Sequence, residues 1–272
     1  MPSGLLLNLQ ANDIVIDSNL LRFSWIEDLS QMEMQSTYRI EMRLFGHQGW
    51  VLWWDSGNVK SSNSAQVEYN GPDLLSRSLY DWRVSTSKDG THWSDWSERQ
   101  SFFSGTFGNW HAKPIWASND TDTVFFRYEV SLDISKKIKT ARWLVTGRDT
   151  APSRQYVFQI FIDGELVGVG PSRGYDSILP YSSFDVTDVL EKRSNICLSA
   201  ICFSRGKNAD FSSELLVFYD DGTSKTVVTD NKWSVLNAKD IVGMGASYHH
   251  FYDVGPENWN LANEPRNWKY SG

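Results

Sequence analysis

Short segments in which polar and apolar residues alternate recur along this chain, with turn-forming residues between them. The clearest is the run TYRIEMRL at residues 37–44, where large apolar side chains alternate with charged ones. Because successive side chains of a strand point to opposite faces of its sheet, this pattern predicts a half-buried β-strand. A chain of 272 residues built from such segments, with no long amphipathic helical pattern, is predicted to be all-β.

The first hundred residues predict a small β-sandwich. Turn signals at Asp55–Asn58, Asn70–Asp73 and Lys88–Gly90 separate its segments. About seven short strands in roughly 100 residues, with no cysteine pair, are typical of a fibronectin type III-like (immunoglobulin-like) sandwich, which we place at residues 1–106. Its strands are predicted at residues 21–25, 37–44, 51–54, 65–69, 81–87 and 100–103.

A second β module is predicted at residues 110–245. Asp163–Gly164 and Asp221–Gly222 are typical two-residue hairpin turns. Residues 185–190 predict a short helical turn, capped by Thr187 or Asp188. About eight strands favour a jelly-roll β-sandwich, and residues 246–272 are predicted to form a tail that leads toward a further module. The strands are predicted at residues 123–130, 140–146, 156–162, 183–186, 196–203, 215–219 and 224–229.

Charge and hydropathy argue against some classes of protein. The net charge of -7 argues against nucleic-acid binding, which favours a basic surface. No apolar run is long enough to span a bilayer. The amino terminus lacks a basic region before its short leucine run, so we predict no signal peptide and a cytoplasmic location. Cys197 and Cys202 lie five positions apart in one predicted strand, so they face opposite sides and are predicted to be buried free thiols.

The segment from Tyr80 to Phe103 contains aromatic residues that are expected to stabilise the first sandwich. Its WSDWS run at residues 93–97 favours stacking of tryptophan faces on arginine side chains of neighbouring strands, with Arg83 and Arg99 as partners. Tyr80 resembles a tyrosine corner, whose hydroxyl ties down the loop between two sheets. Class I cytokine receptors carry a similar tryptophan box, but the sequence shows neither their disulfide-bearing companion module nor a membrane span.

The order of motifs resembles the amino-terminal region of bacterial α-L-rhamnosidases. In the first module the resemblance rests on RFSW at residues 22–25, WDSGNV at 54–59 and YDWRV at 80–84. In the second it rests on DGELVG at residues 163–168 and FDVTDVL at 184–190. Family members carry these motifs in a fibronectin type III-like domain and a jelly-roll domain. The resemblance therefore implies the same two folds over nearly the whole chain.

The resemblance also implies a role for the chain. Rhamnosidases of this family hydrolyse terminal α-L-rhamnosides with inversion, by a general acid and a base-activated water, in an (α/α)6 barrel that follows the β modules. The present sequence has no helical pattern for such a barrel. We therefore predict a non-catalytic region with no catalytic residue and no cofactor, whose partner is a downstream catalytic module.

Two other groups of residues are weaker candidates for chemistry. Glycoside hydrolysis needs two carboxylates across a cleft, and Asp220–Asp221 or the pair Asp120 and Asp122 could supply them. Both pairs lie among turn residues, so we predict that they are solvated. His249–His250 would point in opposite directions on an extended segment, so we predict no metal site there.

The best candidates for carbohydrate binding lie in two loops of the second module, residues 146–155 and 170–180. Sugar recognition combines charged hydrogen-bonding groups with an aromatic face, and these loops contain both. The same loops are also suited to contact a neighbouring module of a longer protein. The candidate residues are Arg148, Asp149, Arg154, Arg173, Tyr175 and Asp176.

Two alternatives to a supporting role stay open from the sequence. The chain could be a stand-alone carbohydrate-binding, lectin-like protein for rhamnose-containing glycans, or a protein-interaction module whose sandwich binds another polypeptide. Binding of rhamnose that is lost on Arg173→Ala or Tyr175→Ala would favour the lectin. A surface intended for a missing module would leave apolar residues exposed, so self-association of the isolated chain is also expected.

Overall fold

Nearly all regular structure in this protein is β-strand. The computed structural model describes residues 1–27, 34–117, 122–149, 156–172, 179–191, 193–204 and 208–238, together with the backbone of residues 269–270. The chain divides into two compact units, Met1–Asn109 and Trp110–Gly272. The predicted all-β fold of two successive sandwiches is confirmed, whereas the predicted limits at residues 106, 110 and 245 stay predictions. Within the described ranges, no helix has the length and apolar character needed to cross a bilayer.

The first unit is a sandwich of two sheets. One sheet has the strand order β1-β3-β7 and the other the order β2-β9-β8-β4-β5, with β6 paired to β4. The pair β2–β9 is parallel and the other pairs are antiparallel. The strands are β1 (Ser3–Leu7), β2 (Val15–Ile16), β3 (Arg22–Ile26), β4 (Thr37–Gly46), β5 (Gly49–Asp55), β6 (Val59–Lys60), β7 (Val67–Glu68), β8 (Leu79–Ser87) and β9 (Gln100–Ser104).

The core of this unit confirms the alternation predicted for residues 37–44. Ile40 and Met42 of β4 are completely buried between the sheets, in the same cluster as Trp82 of β8 and Phe23 of β3. Burial of each such side chain contributes about 1.5–3 kcal/mol relative to its exposure. The charged residues between them lie on the opposite face of β4, where they form ion pairs.

Tyr80 forms the predicted tyrosine corner. Its hydroxyl accepts a hydrogen bond of 2.8 Å from the backbone N–H of Leu75, five residues upstream, and its ring stacks on Phe102 with a centroid distance of 5.3 Å. Burial raises the pKa of Tyr80 to about 12, so the hydroxyl stays neutral. The side chain therefore ties the loop before β8 to the core.

The outer face of the larger sheet carries the predicted tryptophan–arginine stack. The guanidinium of Arg83 lies 4.2 Å from the ring centroid of Trp96, and that of Arg39 lies 5.9 Å away on the same ring. The expectation that Arg99 would stack is wrong. Arg99 instead donates to the buried carboxylate of Asp81 at 2.7 Å, because an ion pair satisfies its charge better than a ring face does.

Trp96→Ala is expected to lower the free energy of unfolding of the first unit by about 1–2 kcal/mol, because Arg83 and Arg39 lose their ring contact. Trp93→Ala is the matched control, since Trp93 lies in the same WSDWS run but has no arginine stacked on it among the described contacts. Urea unfolding should therefore show the larger loss for Trp96→Ala. Equal losses would contradict a stabilising role of the stack.

The second unit contains a six-stranded and a four-stranded sheet. The six-stranded sheet has the order β13-β12-β15-β10-β18-β19, and the four-stranded sheet the order β14-β11-β16-β17. One short helix, α1 (Thr187–Leu190), follows β14. The strands are β10 (Thr123–Ser131), β11 (Ile138–Arg148), β12 (Tyr156–Ile162), β13 (Glu165–Gly170), β14 (Ser182–Asp185), β15 (Asn195–Ser204), β16 (Asp210–Tyr219), β17 (Ser224–Val228), β18 (Ser234–Asn237) and β19 (Lys269–Tyr270).

β15 is apolar on both faces. Leu198 and Cys202 point into the core between the two sheets. Ile201 and Phe203 lie on the other face, in a smaller cluster with Phe125 of β10. The two cysteines face opposite sides of the sheet, and both are free buried thiols, as predicted.

The local turns of this unit depart from prediction in two places. Asp163–Gly164 forms the expected two-residue hairpin, with both residues at positive φ. The prediction of a two-residue turn at Asp221–Gly222 is wrong. The chain forms a longer loop there, which is closed by a hydrogen bond from the backbone N–H of Tyr219 to the carbonyl oxygen of Thr223. Gly222 alone takes the positive φ that this loop requires.

The cap predicted for α1 is also wrong. Neither Thr187 nor Asp188 caps the helix, and the residue at its N-cap, Val186, makes no side-chain cap. Asp185 accepts the Thr187 N–H instead, while the Thr187 hydroxyl accepts a hydrogen bond of 2.9 Å from the N–H of Ala141 in β11. Because the Thr187 hydroxyl bonds to the neighbouring strand β11, it does not cap the helix.

A strap at the start of the second unit, residues 111–115, is fastened to the four-stranded sheet. Oε1 of Glu214 accepts hydrogen bonds from the N–H groups of His111 and Ala112, the latter at 3.0 Å. The backbone N–H of Lys113 donates to the Thr229 carbonyl, and the Thr229 hydroxyl donates to the Lys113 carbonyl. Ile115 forms an antiparallel backbone bridge with Phe211. The Glu214 carboxylate is completely buried, so the strap supplies hydrogen bonds that water cannot.

Candidate functional site

Two of the predicted carbohydrate-binding residues lie at one end of the second sandwich. Arg148 is the last residue of β11, and the antiparallel register places it opposite Asp210, the first residue of β16. Arg148 Nε donates to Asp210 Oδ2 at 2.7 Å. The arginine side chain is 63% exposed and the aspartate only 15%, so the pair presents the guanidinium to solvent.

Burial and pairing set the charges of this ion pair. Burial raises the pKa of the Asp210 carboxyl, because loss of hydration outweighs the attraction of Arg148. The hydrogen bond to Asp210 in turn raises the pKa of Arg148. Arg148 is therefore a permanent, oriented cation at this end of the sandwich, suited to bind an acceptor such as a carboxylate or a pair of sugar hydroxyls.

Asp149 lies next to this pair and is held by β15. Its Oδ2 accepts a hydrogen bond from the hydroxyl of Ser204, the last residue of β15. The backbone N–H of Ser204 donates to the carbonyl of Asp122 at 2.7 Å. The second carboxylate oxygen, Asp149 Oδ1, is buried and has no hydrogen-bond partner among the described residues. Asp149 thus has one carboxylate oxygen that is hydrogen-bonded to the sheet and one that has no hydrogen-bond partner among the described residues.

An apolar floor closes the sandwich beneath these polar groups. Tyr156 of β12 is completely desolvated, and burial raises its pKa well above the ordinary value. The hydroxyl of Tyr156 lies against the Cys202 thiol, and its ring lies 6.0 Å from that of Trp116. The ring also presses on Gly147, where a Cβ would lie 2.4 Å from ring atoms. A ligand at this end would therefore contact the surface groups and could not enter the core.

Neither cysteine of the folded chain is expected to react with a disulfide reagent such as DTNB at mildly alkaline pH. Burial raises the pKa of Cys197 to about 11 and raises that of Cys202 as well, so the thiolate is rare and shielded. Ellman's assay should detect both thiols only after denaturation. If some labelling occurs in native buffer, the Cys202→Ala variant shows which of the two thiols reacts. Prompt labelling of either thiol in native buffer would contradict its buried placement.

Four of the six predicted sugar-binding residues lie outside the described residues. They are Arg154, Arg173, Tyr175 and Asp176. The six-residue set therefore stays a prediction, with Arg148 and Asp149 placed at the same end of the sandwich. Asp210 and Ser204 also belong to this end, and the sequence does not predict them, because both join it only through strand register.

Of the carboxylates considered for glycosidase chemistry, those of Asp220 and Asp221 make hydrogen bonds or ion pairs at a turn. Thr223 donates to Asp221 through its N–H and hydroxyl, and Lys136 lies 2.9 Å from the same carboxylate. These bonds lower the pKa of Asp221 to about 2. Asp220 pairs with Lys137 and Lys139, while Asp120 lies outside the described residues. Contrary to the predicted solvation, Asp122 Oδ1 is buried and has no hydrogen-bond partner among the described residues. A general acid of a glycosidase needs a raised pKa, the opposite of what Asp221 has.

The described residues contain no group of three or more His, Cys, Asp or Glu side chains that could hold a metal ion. His249 and His250 lie outside the described residues, so their expected lack of a metal stays a prediction. At the end of the second unit that carries them, Arg148 and Asp149 offer hydrogen bonding and charge.

Comparison with known proteins finds a family model that matches the first unit and relatives that are similar over both units. Residues 2–108 match the family model of the Rha78A-like, N-terminal immunoglobulin domain. An α-L-rhamnosidase of Formosa agariphila is 26% identical over 95% of this chain and 32% of its own length. An α-L-rhamnosidase of Alteromonas sp. (strain LOR) is 24% identical over 88% of this chain and 29% of its own length. The chain thus spans about a third of the length of these curated relatives.

A solved structure shows that the fold extends over both units. The α-L-rhamnosidase from Dictyoglumus thermophilum matches with a TM-score of 0.74 and 21% identity, over 99% of this chain and 33% of that one. The α-L-rhamnosidase from Aspergillus terreus matches with a TM-score of 0.65 and 21% identity, over 88% of this chain and 30% of that one. The predicted resemblance to the amino-terminal β modules of α-L-rhamnosidases is confirmed.

Proposed function

Because this chain is similar to the amino-terminal β modules of α-L-rhamnosidases, we propose that it is the non-catalytic amino-terminal region of such a glycoside hydrolase. Its two sandwiches support or supplement a separate downstream module that hydrolyses terminal α-L-rhamnosides. The observation that carries the proposal is coverage. Curated relatives match 95% and 88% of this chain but only 32% and 29% of their own length.

The electrostatics of the described carboxylates support a non-catalytic role. Hydrolysis of a glycosidic bond requires one carboxyl group that stays protonated near neutral pH and a second that is ionised, facing each other across a cleft. Asp221 has a lowered pKa in a turn, the opposite of what a general acid needs. Burial raises the pKa of Asp210, but its carboxylate is bound to Arg148. Each is used to fix a loop or a strand end, which suits a scaffold.

An assay with an aryl α-L-rhamnoside tests the proposal. The 272-residue chain should release no aryl alcohol above background. A protein that carries this region together with the proposed downstream module should release it. Turnover by the short chain would overturn the proposal. Asp220→Asn/Asp221→Asn serves as a control for contamination, because turnover that is unchanged in this variant cannot arise from that carboxylate pair. A natural reading frame that stops at Gly272 would also contradict the proposal.

The polar end of the second unit supports a second function, the binding of rhamnose-containing glycans. The Arg148 guanidinium is 63% exposed yet held in place by Asp210, and Asp149 lies beside it in the sequence. Arg148→Lys keeps a cation next to Asp210 but loses the planar fork that binds two hydroxyls at once. It should weaken binding at least tenfold in calorimetry with rhamnosylated glycans, as should Tyr175→Ala.

Arg193→Ala is the matched control for glycan binding, since Arg193 pairs with Asp163 at the other end of the sandwich. Binding should survive this change. Absence of binding heat in the unmodified chain, or an equal loss in Arg193→Ala, would exclude the Arg148 end as a glycan site. The supporting role would be unaffected by either result.

A further inference from the structure

An asparagine–glycine pair, Asn70–Gly71, lies in the turn that follows β7 in the first unit. Among the asparagines of the sequence, Asn70 alone precedes a glycine. Asn70 is exposed, so water and hydroxide reach its carboxamide. An asparagine carboxamide can react with the backbone nitrogen of the next residue, and glycine hinders that approach least because it has no Cβ. The pair is therefore a candidate site of spontaneous covalent modification.

The turn is fastened on both sides of this pair. The backbone N–H of Tyr69 donates to the carbonyl of Leu21 at 3.0 Å, and the Tyr69 hydroxyl donates to the carbonyl of Pro72 at 2.6 Å. Among the described residues, neither the Asn70 carboxamide nor the Gly71 N–H has a hydrogen-bond partner. The Asn70 side chain can therefore rotate toward the Gly71 nitrogen without breaking a hydrogen bond in the described part of the chain.

Packing requires the glycine of the pair. A Cβ at residue 71 would lie 2.6 Å from Cδ1 of Trp54 and from two ring atoms of Tyr69. The rings of Trp54 and Tyr69 are in edge-to-face contact, with centroids 4.8 Å apart, and both pack against the core of the first unit. A larger residue at this position would displace that aromatic contact. The residue that makes Asn70 reactive is thus one that the fold does not readily replace.

We propose that Asn70 is a deamidation site, at which the folded chain slowly converts asparagine to aspartate and isoaspartate. The Gly71 nitrogen attacks the side-chain carbonyl carbon of Asn70 and gives up its proton, and the side-chain nitrogen leaves as ammonia. Water then opens the five-membered succinimide ring at one of its two carbonyl groups, which yields aspartate or isoaspartate. The conversion consumes one water and releases one ammonia, and no atom is oxidised or reduced. This inference does not depend on the proposed function.

Isoaspartate changes the backbone of the turn. The main chain then runs through the former side-chain carbon, so one methylene group is inserted between the anchors at Tyr69 and Pro72. The Tyr69 hydroxyl also accepts a hydrogen bond of 3.2 Å from Trp53 Nε1, so a longer turn disturbs two hydrogen bonds of one side chain. Burial raises the pKa of Tyr69 to about 12, so this hydroxyl keeps the proton that it donates. We therefore expect isoaspartate, but not aspartate, to weaken the packing around Tyr69.

Peptide mapping by mass spectrometry, after incubation of the folded chain at physiological temperature, tests the site. Conversion at Asn70 should be at least tenfold faster than at Asn63, an exposed asparagine that precedes serine and whose Oδ1 accepts the Ala65 N–H at 3.1 Å. The rate should rise in alkaline buffer, because the Gly71 N–H must lose its proton. Asn70→Gln should remove the reaction, since its ring would need six members. Equal conversion at Asn70 and Asn63, or none at Asn70, would overturn the proposal.

Urea unfolding of the separated products tests the effect on the turn. Ion exchange isolates them, because each carries one more negative charge than the unmodified chain, and an isoaspartyl methyltransferase identifies the isoaspartate form. That form should unfold at a lower urea concentration than the unmodified chain. Asn70→Asp is the matched control, since it adds the same charge without the methylene group, and its midpoint should be unchanged. An isoaspartate form that unfolds at the same urea concentration as Asn70→Asp would overturn the proposed effect on the Tyr69 contacts.

Discussion

Glu214→Ala is expected to lower the free energy of unfolding of the second unit by about 3 kcal/mol. The side chain of Glu214 is completely buried, and its Oε1 is the acceptor for the backbone N–H groups of His111 and Ala112. A buried donor that loses its partner costs about 1–3 kcal/mol. Truncation removes the acceptor of both groups and leaves a cavity under the strap.

The conservative change Glu214→Gln separates hydrogen bonding from charge, because its carbonyl oxygen still accepts from the strap. It should lose roughly half as much stability. Glu165→Ala is the surface control, as Glu165 is 55% exposed and shares Arg193 with Asp163. It should cost less than about 1 kcal/mol. A Glu214→Ala loss no larger than that of Glu165→Ala would contradict the strap as a stabilising contact.

The cysteines provide a readout that is specific to the second unit. Cys197 and Cys202 both lie in β15 and are both buried, so a thiol reagent reaches them only when that sheet opens. The rate of labelling in moderate urea therefore reports the stability of the second unit, independently of the first. The same measurement serves both of the stability predictions that concern this unit.

The strands with regular alternation could be predicted from the sequence because burial alone decides them. The predicted strand at residues 156–162 agrees with β12 at both ends, and the predicted strand at 37–44 lies within β4. β13 was missed because its run ELVGVG shows no alternation, and it becomes a strand only by pairing with β12. The short strands β1, β18 and β19 likewise depend on partners distant in the sequence.

The candidate site was harder to predict because tertiary register creates it. Arg148 and Asp210 are 62 residues apart, and only the β11–β16 pairing places them together. The same limit applies to Glu214 and its strap, which lie more than a hundred residues apart. Asp210 and Glu214 are acidic residues of one strand, yet Asp210 binds a surface arginine and Glu214 binds buried backbone N–H groups. Residue type alone does not distinguish these roles.

Gly147→Ala should destabilise the second unit by about 3 kcal/mol, at the upper end for overpacking of a core. A Cβ at this position would lie 2.4 Å from three atoms of the Tyr156 side chain, a distance that real contacts do not show. Tyr156 is completely desolvated and packs near Trp116 and Cys202, so its ring has no free space into which to move. The methyl group therefore forces β11 and β12 apart at the end that carries Arg148.

A double-mutant cycle tests this origin of the loss. In a Tyr156→Ala background the clash is absent, so Gly147→Ala should then cost less than about 1 kcal/mol, and the difference between backgrounds measures the coupling. Gly46→Ala controls for backbone freedom, because an added Cβ there meets no atom within 4 Å. It should be neutral or slightly stabilising in urea unfolding followed by tryptophan fluorescence. Equal costs of Gly147→Ala in both backgrounds would mean that the glycine is required for its backbone conformation, and the close approach of the Tyr156 ring would then have no energetic consequence.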